Sequence, residues 1–232
     1  MTDVRDRIVD HGRLVYLEEP RHRYWWLDDQ LPAVHGVLAR SLAEVANGQR
    51  FIKRKYLERG TRIHQAVYLD KRSALRPEDT VFYDAAIKQR ETLLPCSWSL
   101  PEQRVWCPGY AGTTDEVTDI TGTDLAKEYG LLAPSLLVAD LKTGTAPGWV
   151  RCQLFAYQFC LMMLLGLGPD HFLRVCIEAG KTRSRCIFWG PKDHTADAAV
   201  WQSMWTVYWF SKKKMRWTGE YAKLISGGLL DV

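Results

Sequence analysis

The stretch Leu137-Val138-Ala139-Asp140-Leu141-Lys142-Thr143-Gly144 holds the residue types best suited to chemistry in this chain. An apolar segment with strand character ends in a carboxylate and a lysine two residues apart. In an extended strand that spacing sets both side chains on one face, about 7 Å apart at the backbone, so they can share a pocket. A carboxylate there can ligate Mg²⁺ or Mn²⁺, hard cations that take oxygen ligands. The ammonium can orient a water or stabilise charge developing on a phosphate. Taken alone, Asp-x-Lys reads first as a surface ion pair.

Three companions change that weighting. About 25 residues upstream, Gly112-Thr113-Thr114-Asp115-Glu116-Val117 carries a second carboxylate on the preceding strand, and Asp115 converges on Asp140 if the two strands pair. Downstream, Gln153 and Tyr157 stand at i and i+4 on the next helix and share one face, in position to look back at the strand end. Far upstream, His64 follows Gly60-Thr61-Arg62-Ile63 on a predicted helix and offers a nitrogen ligand. The plainer alternative for His64 is a helix-face histidine satisfied by a neighbour.

These residues require a particular set of elements. Arg23 to Leu27 is a short aromatic strand candidate ending at the turn signal Asp28-Asp29, and Val34 to Ala46 repeats apolar residues at helical spacing. Trp25 and Trp26 would point to opposite faces of that strand, one buried and one free. Further helices are predicted over Thr61 to Asp70 and from about Glu78 to Leu94, the second following Pro77 with acids in its first turn. The period then changes. Glu102 to Cys107, Thr113 to Thr118 and Leu136 to Leu141 read as strands, with Gly109 and Gly112 making a hairpin of the first two. Pro147 suits the first turn of a helix running to about Leu165, which Gly166-Leu167-Gly168-Pro169 ends. Phe172 to Ala179 and Arg185 to Trp189 are two more strands, and a final amphipathic helix spans roughly Thr195 to Trp217. There Trp201, Trp205 and Tyr208 have the spacing of a face packed on a core, which is favoured over a platform for stacking bases. Helices before and after the strand cluster, with one between its third and fourth strands, predict an α/β or α+β fold with a central mixed sheet flanked by helices.

Composition agrees with one domain over 1–232, with a helical N-terminal region at about 30–95. Of the 232 residues 47% are hydrophobic and 12% aromatic, which excludes a disordered chain. The opening MTDVRDRIVD lacks the apolar stretch of a signal peptide, and the longest apolar run, Phe159 to Leu167, is too short to span a bilayer. A soluble cytoplasmic protein with no membrane partner is expected. Six cysteines include no CxxC pair and read as buried free thiols. The net charge of +4 hides a division. Six acids between Ala111 and Asp140 oppose Lys127 alone, whereas basic runs lie between Gln49 and Arg62 and at Lys212, Lys213, Lys214 and Arg216. An acidic centre with basic flanks suits a cation site facing a polyanion, and two solvated faces would give the same counts.

Gly60-Thr61-Arg62-Ile63-His64, Gly112-Thr113-Thr114-Asp115, Asp140-Leu141-Lys142-Thr143-Gly144 and Gln153-Leu154-Phe155-Ala156-Tyr157 follow one another in an order that resembles the PD-(D/E)XK nuclease superfamily. Within it the likeness is to the RecB-type or Cas4-like branch, which includes phage-type exonucleases. Tyr24 followed by Leu31-Pro32-Ala33-Val34 resembles the strand and turn that open many phage members, so the resemblance covers about residues 22 to 160. Each motif is degenerate; four in the right order and spacing are specific.

The resemblance implies a restriction-endonuclease-like core and a metal-dependent DNA exonuclease that acts at linear ends with Mg²⁺ or Mn²⁺. At matching positions Asp115 and Asp140 would hold the metal and His64 would complete the shell. Lys142 would assist the attacking water, and Gln153 with Tyr157 would brace Lys142 or the scissile phosphate. Glu102, where many relatives keep an acid, is a lesser metal candidate. The remaining acids, Glu116, Asp119, Asp124 and Glu128, read as solvated. Lys53, Arg54 and Arg62 are candidates for gripping the DNA backbone. Cas4-like members carry four cysteines for an iron-sulfur cluster, and Cys176 and Cys186 alone do not supply them, so no cluster is expected. No GxxxxGK[ST] loop is present, so unwinding would fall to a helicase partner, and a single-strand annealing partner is a further candidate. A bacterial or phage-infected host cell is the implied setting. The rival readings are a non-cleaving DNA-end-binding or recombination factor, a structure-specific endonuclease, and an assembly protein in which Asp-x-Lys is fortuitous.

Overall fold

The apolar run at 136–141 becomes the central strand of the larger of two sheets. The structure is a computed structural model and describes residues 3–18, 23–26, 29–46, 54–93 and 96–211. In chain order its elements are α1 (Val4–Arg13), β1 (Val15–Glu18), β2 (Arg23–Trp26), β3 (Asp29–Leu31), α2 (Val34–Ala46), α3 (Arg54–Tyr68), α4 (Thr80–Glu91), β4 (Ser99–Cys107), β5 (Tyr110–Asp119), α5 (Asp124–Glu128), β6 (Leu136–Thr143), α6 (Val150–Leu165), β7 (Phe172–Ala179), β8 (Ser184–Trp189) and α7 (His194–Ser211).

In the larger sheet the order is β4-β5-β6-β7-β8, with β6 and β7 parallel and every other neighbouring pair antiparallel. Parallel neighbours cannot be joined by a tight turn, so the chain crosses back through α6, whose first turns come to lie near the end of β6. Successive side chains of β6 face opposite ways into two cores. Leu136 and Val138 pack with Val37, Leu154, Phe155 and Trp201; Leu137, Ala139 and Leu141 pack with Ile63, Phe82 and Ile177. Asp140 and Lys142 continue the first series. With apolar cores on both faces, β6 reads as the near-continuous apolar run expected of a strand buried on both sides. The fold is therefore α+β, a mixed five-stranded sheet flanked by helices.

The smaller sheet, β1-β2-β3, is antiparallel throughout. Val15, Tyr24 and Leu31 cluster on Trp106 and Ala111 of the larger sheet, and the Ala111 N–H donates to Pro32 O at 2.9 Å. That link sets the start of α2 beside β5. The elements α1, β1, β3 and α5 were not anticipated from sequence patterns. Nor is one of Trp25 and Trp26 buried and the other free: both are half-buried, and Trp26 tilts against Trp106 with ring centroids 4.9 Å apart. In α7 the aromatic face packs inward, Trp201 being buried and its ring meeting Tyr110 edge-on at 5.1 Å. The helix is described to Ser211, and the basic run from Lys212 lies outside the described residues. All six cysteines are free, four of them buried. Among the described residues no helix is long and apolar enough to cross a membrane.

Gly112 explains how closely α6 approaches β5. A Cβ at that position would run into the ring of Tyr157 and would lie 3.3 Å from Val34 Cγ2. Small-to-large changes in a packed interior force neighbours off their rotamers, so Gly112→Ala is expected to destabilise by about 1–3 kcal/mol in urea unfolding. An unchanged midpoint would contradict this contact.

Candidate active site

Three strands and one helix bring the charged side chains together. The β5–β6 ladder runs from Asp119↔Leu136 to Glu116↔Ala139. Beyond it the Leu141 N–H is taken by a side chain: it donates to Asp115 Oδ2 at 2.7 Å. Asp115 and Asp140 thus converge where the two strands part. Lys142 Nζ lies 2.5 Å from Asp140 Oδ2, whose side chain is 1% exposed. Across the gap His64 Nε2 lies 2.9 Å from Asp115 Oδ1, and Nδ1 lies 2.8 Å from Glu102 Oε1.

Glu102 reaches His64 from a local break in the β4–β5 ladder, directly opposite Asp115. The β4–β5 register steps from Pro101↔Glu116 to Gln103↔Thr114, leaving Glu102 without a partner, and its φ is +50°. A left-handed conformation is uncommon for a glutamate, and here it coincides with the interruption of the ladder opposite Asp115. The acid rated lowest from sequence is therefore held in the cluster by strained backbone.

Gln153 and Tyr157 share one face of α6, and the Gln153 amide donates to the Tyr157 hydroxyl at 2.9 Å. Gln153 Nε2 also lies 3.1 Å from His35 Nε2 on α2, a neighbour that no motif announced. Neither Gln153 nor Tyr157 has a hydrogen bond to Lys142 among the described residues. The Lys142 ammonium instead lies 5.6 Å from the centre of the Trp149 ring, just ahead of α6.

Two expectations need correction. Glu116 is not solvated: strand alternation turns it away from Asp115, and it is buried, with Arg90 Nη2 donating at 2.6 Å and the Ser99 hydroxyl as a further partner. Arg62 is not a free cation for DNA. It grips fully buried Asp79 through Nε at 2.7 Å and Nη2 at 3.1 Å, which ties α3 to the start of α4. Lys53 and the side chain of Arg54 lie outside the described residues.

Three carboxyl groups here face two basic groups. Burial disfavours a charged His64, yet the Asp115 charge and hydrogen bonds to Asp115 and Glu102 outweigh it and hold the imidazole pKa up to about 10. Burial pushes Asp140 up to about 6 against the pull of Lys142. Asp115 is held below its ordinary value: burial opposes ionisation, but His64, Lys142 and the Leu141 N–H prevail. Lys142 is raised, since Asp140 and Asp115 outweigh its burial. The donor set suits a hard divalent cation, oxygens with one imidazole. Apart from the Lys142 ammonium, Asp140 Oδ2 has no partner among the described residues, and Gln153 Oε1 has none. With His64 and Lys142 compensating the carboxylates, no group of three or more His, Cys, Asp or Glu among the described residues is arranged around a common point for a metal.

The fold and this cluster define an α+β protein with a partly buried acidic site, three carboxyl groups facing a histidine and a lysine, at the end of a mixed sheet. No family model and no curated protein matches the chain. A solved structure described as "Crystal structure of SSO0001" is similar at 12% identity and a TM-score of 0.29, over 73% of this chain and 84% of that one. A likeness of that degree carries no argument.

Because the folded pKa of His64 is raised, its contribution to stability is fully present below about pH 6.5 and is lost as pH rises through about 10. Thermal melts without added metal should show the protein losing stability between pH 7 and pH 10, and His64→Gln should flatten that slope. Parallel profiles for the two proteins would contradict the assigned ion pairs.

Proposed function

We propose that the protein is a divalent-cation-dependent deoxyribonuclease of the PD-(D/E)XK type, acting on the ends of linear DNA. One observation carries the reading. Asp140 is buried to 1% exposure beside Lys142, and Asp115 meets them from the neighbouring strand. Ionisable groups gathered in one buried cluster are expensive for the fold alone and are typical of functional sites. Further support comes from the element order, in which a helix precedes three antiparallel strands and a crossover helix leads to a parallel fourth. The four motifs fall on α3, β5, β6 and α6 of that order.

Asp115 and Asp140 would hold the cation and His64 would complete its shell, with Glu102 behind His64. When bound, such a cation supplies Lewis-acid polarisation of a phosphoryl oxygen and a water of lowered pKa. The protein's own groups do the rest. Lys142, kept protonated by Asp140 and Asp115, orients the attacking water for in-line approach to phosphorus and stabilises charge building on the phosphate oxygens. In this state the ammonium acts as a donor, with no role as a base. Gln153, tied to Tyr157 and close to His35, fixes the first turns of α6 against the start of α2, and its buried amide oxygen has no hydrogen-bond partner among the described residues. The preference for ends, the cytoplasm of a bacterial or phage-infected cell, and a helicase or annealing partner rest on the family resemblance.

The test is to incubate linear and closed circular DNA with the protein and Mn²⁺. Linear DNA should be degraded and circles spared, and Asp140→Ala should lower the rate by about 100-fold or more. No cleavage of any DNA by folded protein would refute the enzyme reading, and equal cutting of circles would refute the exonuclease one.

A further inference from the structure

With Arg62 committed to Asp79, a different cation of α3 is left to meet a polyanion. Arg59 lies one turn before it, half-buried, with its guanidinium carbon 3.9 Å from the centre of the Phe82 ring and 5.2 Å from that of Tyr56. Phe82 is buried on α4 and Tyr56 is exposed, so the guanidinium is clamped over the inner ring with the outer one at its edge. Stacking of this kind fixes the orientation of a planar cation without using its N–H groups.

Those groups are poorly used. Arg59 Nη2 donates to Thr143 O over a long 3.4 Å, and Nε is buried with no hydrogen-bond partner. Among the described residues no carboxylate pairs with it. By contrast Arg62, Arg90, Arg151, Arg174 and Arg185 each rest on a carboxylate within 3.1 Å. A partly desolvated guanidinium with vacant donors is destabilising for the free protein and favourable once an anion fills them. Its position indicates which anion. Thr143 follows Lys142 directly, so Arg59 is held at the C-terminal end of β6, one residue beyond the charged cluster.

We infer that Arg59 binds a backbone phosphate of the nucleic-acid strand whose neighbouring phosphate lies at Asp140 and Lys142. The inference deepens the deoxyribonuclease reading and rests on it. Arg59 contacts a phosphate, which positions the strand without reading its sequence. Its clamp by Phe82 and Tyr56 makes that contact pre-organised, and Arg62 keeps the helix in place.

The experiment is a salt titration of binding to a short duplex, with Asp140→Asn as the background so that nothing is cut. Arg59→Met, which keeps the packing on Phe82, should weaken binding about tenfold at low salt and make the slope of log K against log salt shallower by about 1. Arg59→Lys should keep the slope of the background protein and lose affinity by a smaller factor, because an ammonium retains the charge without the fork. If Arg59→Met melts early, Arg59→Lys with a shallower slope, or with unchanged affinity, overturns the assignment. A folded Arg59→Met with unchanged slope and affinity also overturns it and leaves the deoxyribonuclease reading intact. Absence of DNA binding by the background protein and the unsubstituted protein alike would refute both.

Discussion

Where β5 and β6 part, a carboxylate takes over from the backbone. Asp115 accepts the Leu141 N–H through one oxygen and meets His64 through the other, so a single side chain ends the ladder and anchors the charge cluster. Ionised groups this far from water persist only when each is paired and hydrogen-bonded. The cluster supplies the pairing internally: His64 spans Glu102 and Asp115, and Lys142 covers Asp140. Removing either base would leave buried carboxylates unopposed. His64 on α3 and Glu102 on β4 are placed to meet that requirement.

Packing on both faces of the sheet holds this junction in place. On one face, Ile63, Phe82 and Leu141 pack α3 and α4 against the sheet, and Arg62 clamps the two helices together through Asp79. On the other face, α6 lies close enough to β5 that only glycine fits at 112. The crossover to β7 brings Gln153 and Tyr157 near the same strand ends. The smaller sheet, docked on Ala111, holds the first turn of α2 in reach of Gln153.

Much of this was legible in the chain, and for identifiable reasons. β6, β7 and α6 carry long apolar runs bounded by Pro and Gly, and β7 and α2 occupy the residues their patterns predict. Asp140 and Lys142 share a face because a strand has a period of two, and the same rule separates Asp115 from Glu116. Applying it to that pair would have flagged Glu116 as facing the opposite core, since Val117 shares the face of Asp115. Other features had no local signal. In α1 only Ile8 and Gly12 are buried, too few to make a periodic stripe. The left-handed backbone at Glu102 has no glycine to announce it. Whether Arg59 or Arg62 is free depends on Asp79, a partner supplied by tertiary packing. His35 likewise gains its neighbour only when α2 meets α6.

The central claim is that the Asp115 and Asp140 carboxylates form one cation site whose charge His64 and Lys142 balance in its absence. Calorimetric titration with Mn²⁺ in two buffers of different ionisation enthalpy tests it most directly, because it counts protons as well as ions. The account predicts saturable binding near pH 8 accompanied by proton release, since an imidazole held charged to about pH 10 must lose its proton to become a ligand, and loss of that binding in both Asp115→Asn and Asp140→Asn. Binding without proton release, or binding that survives both substitutions, would contradict it.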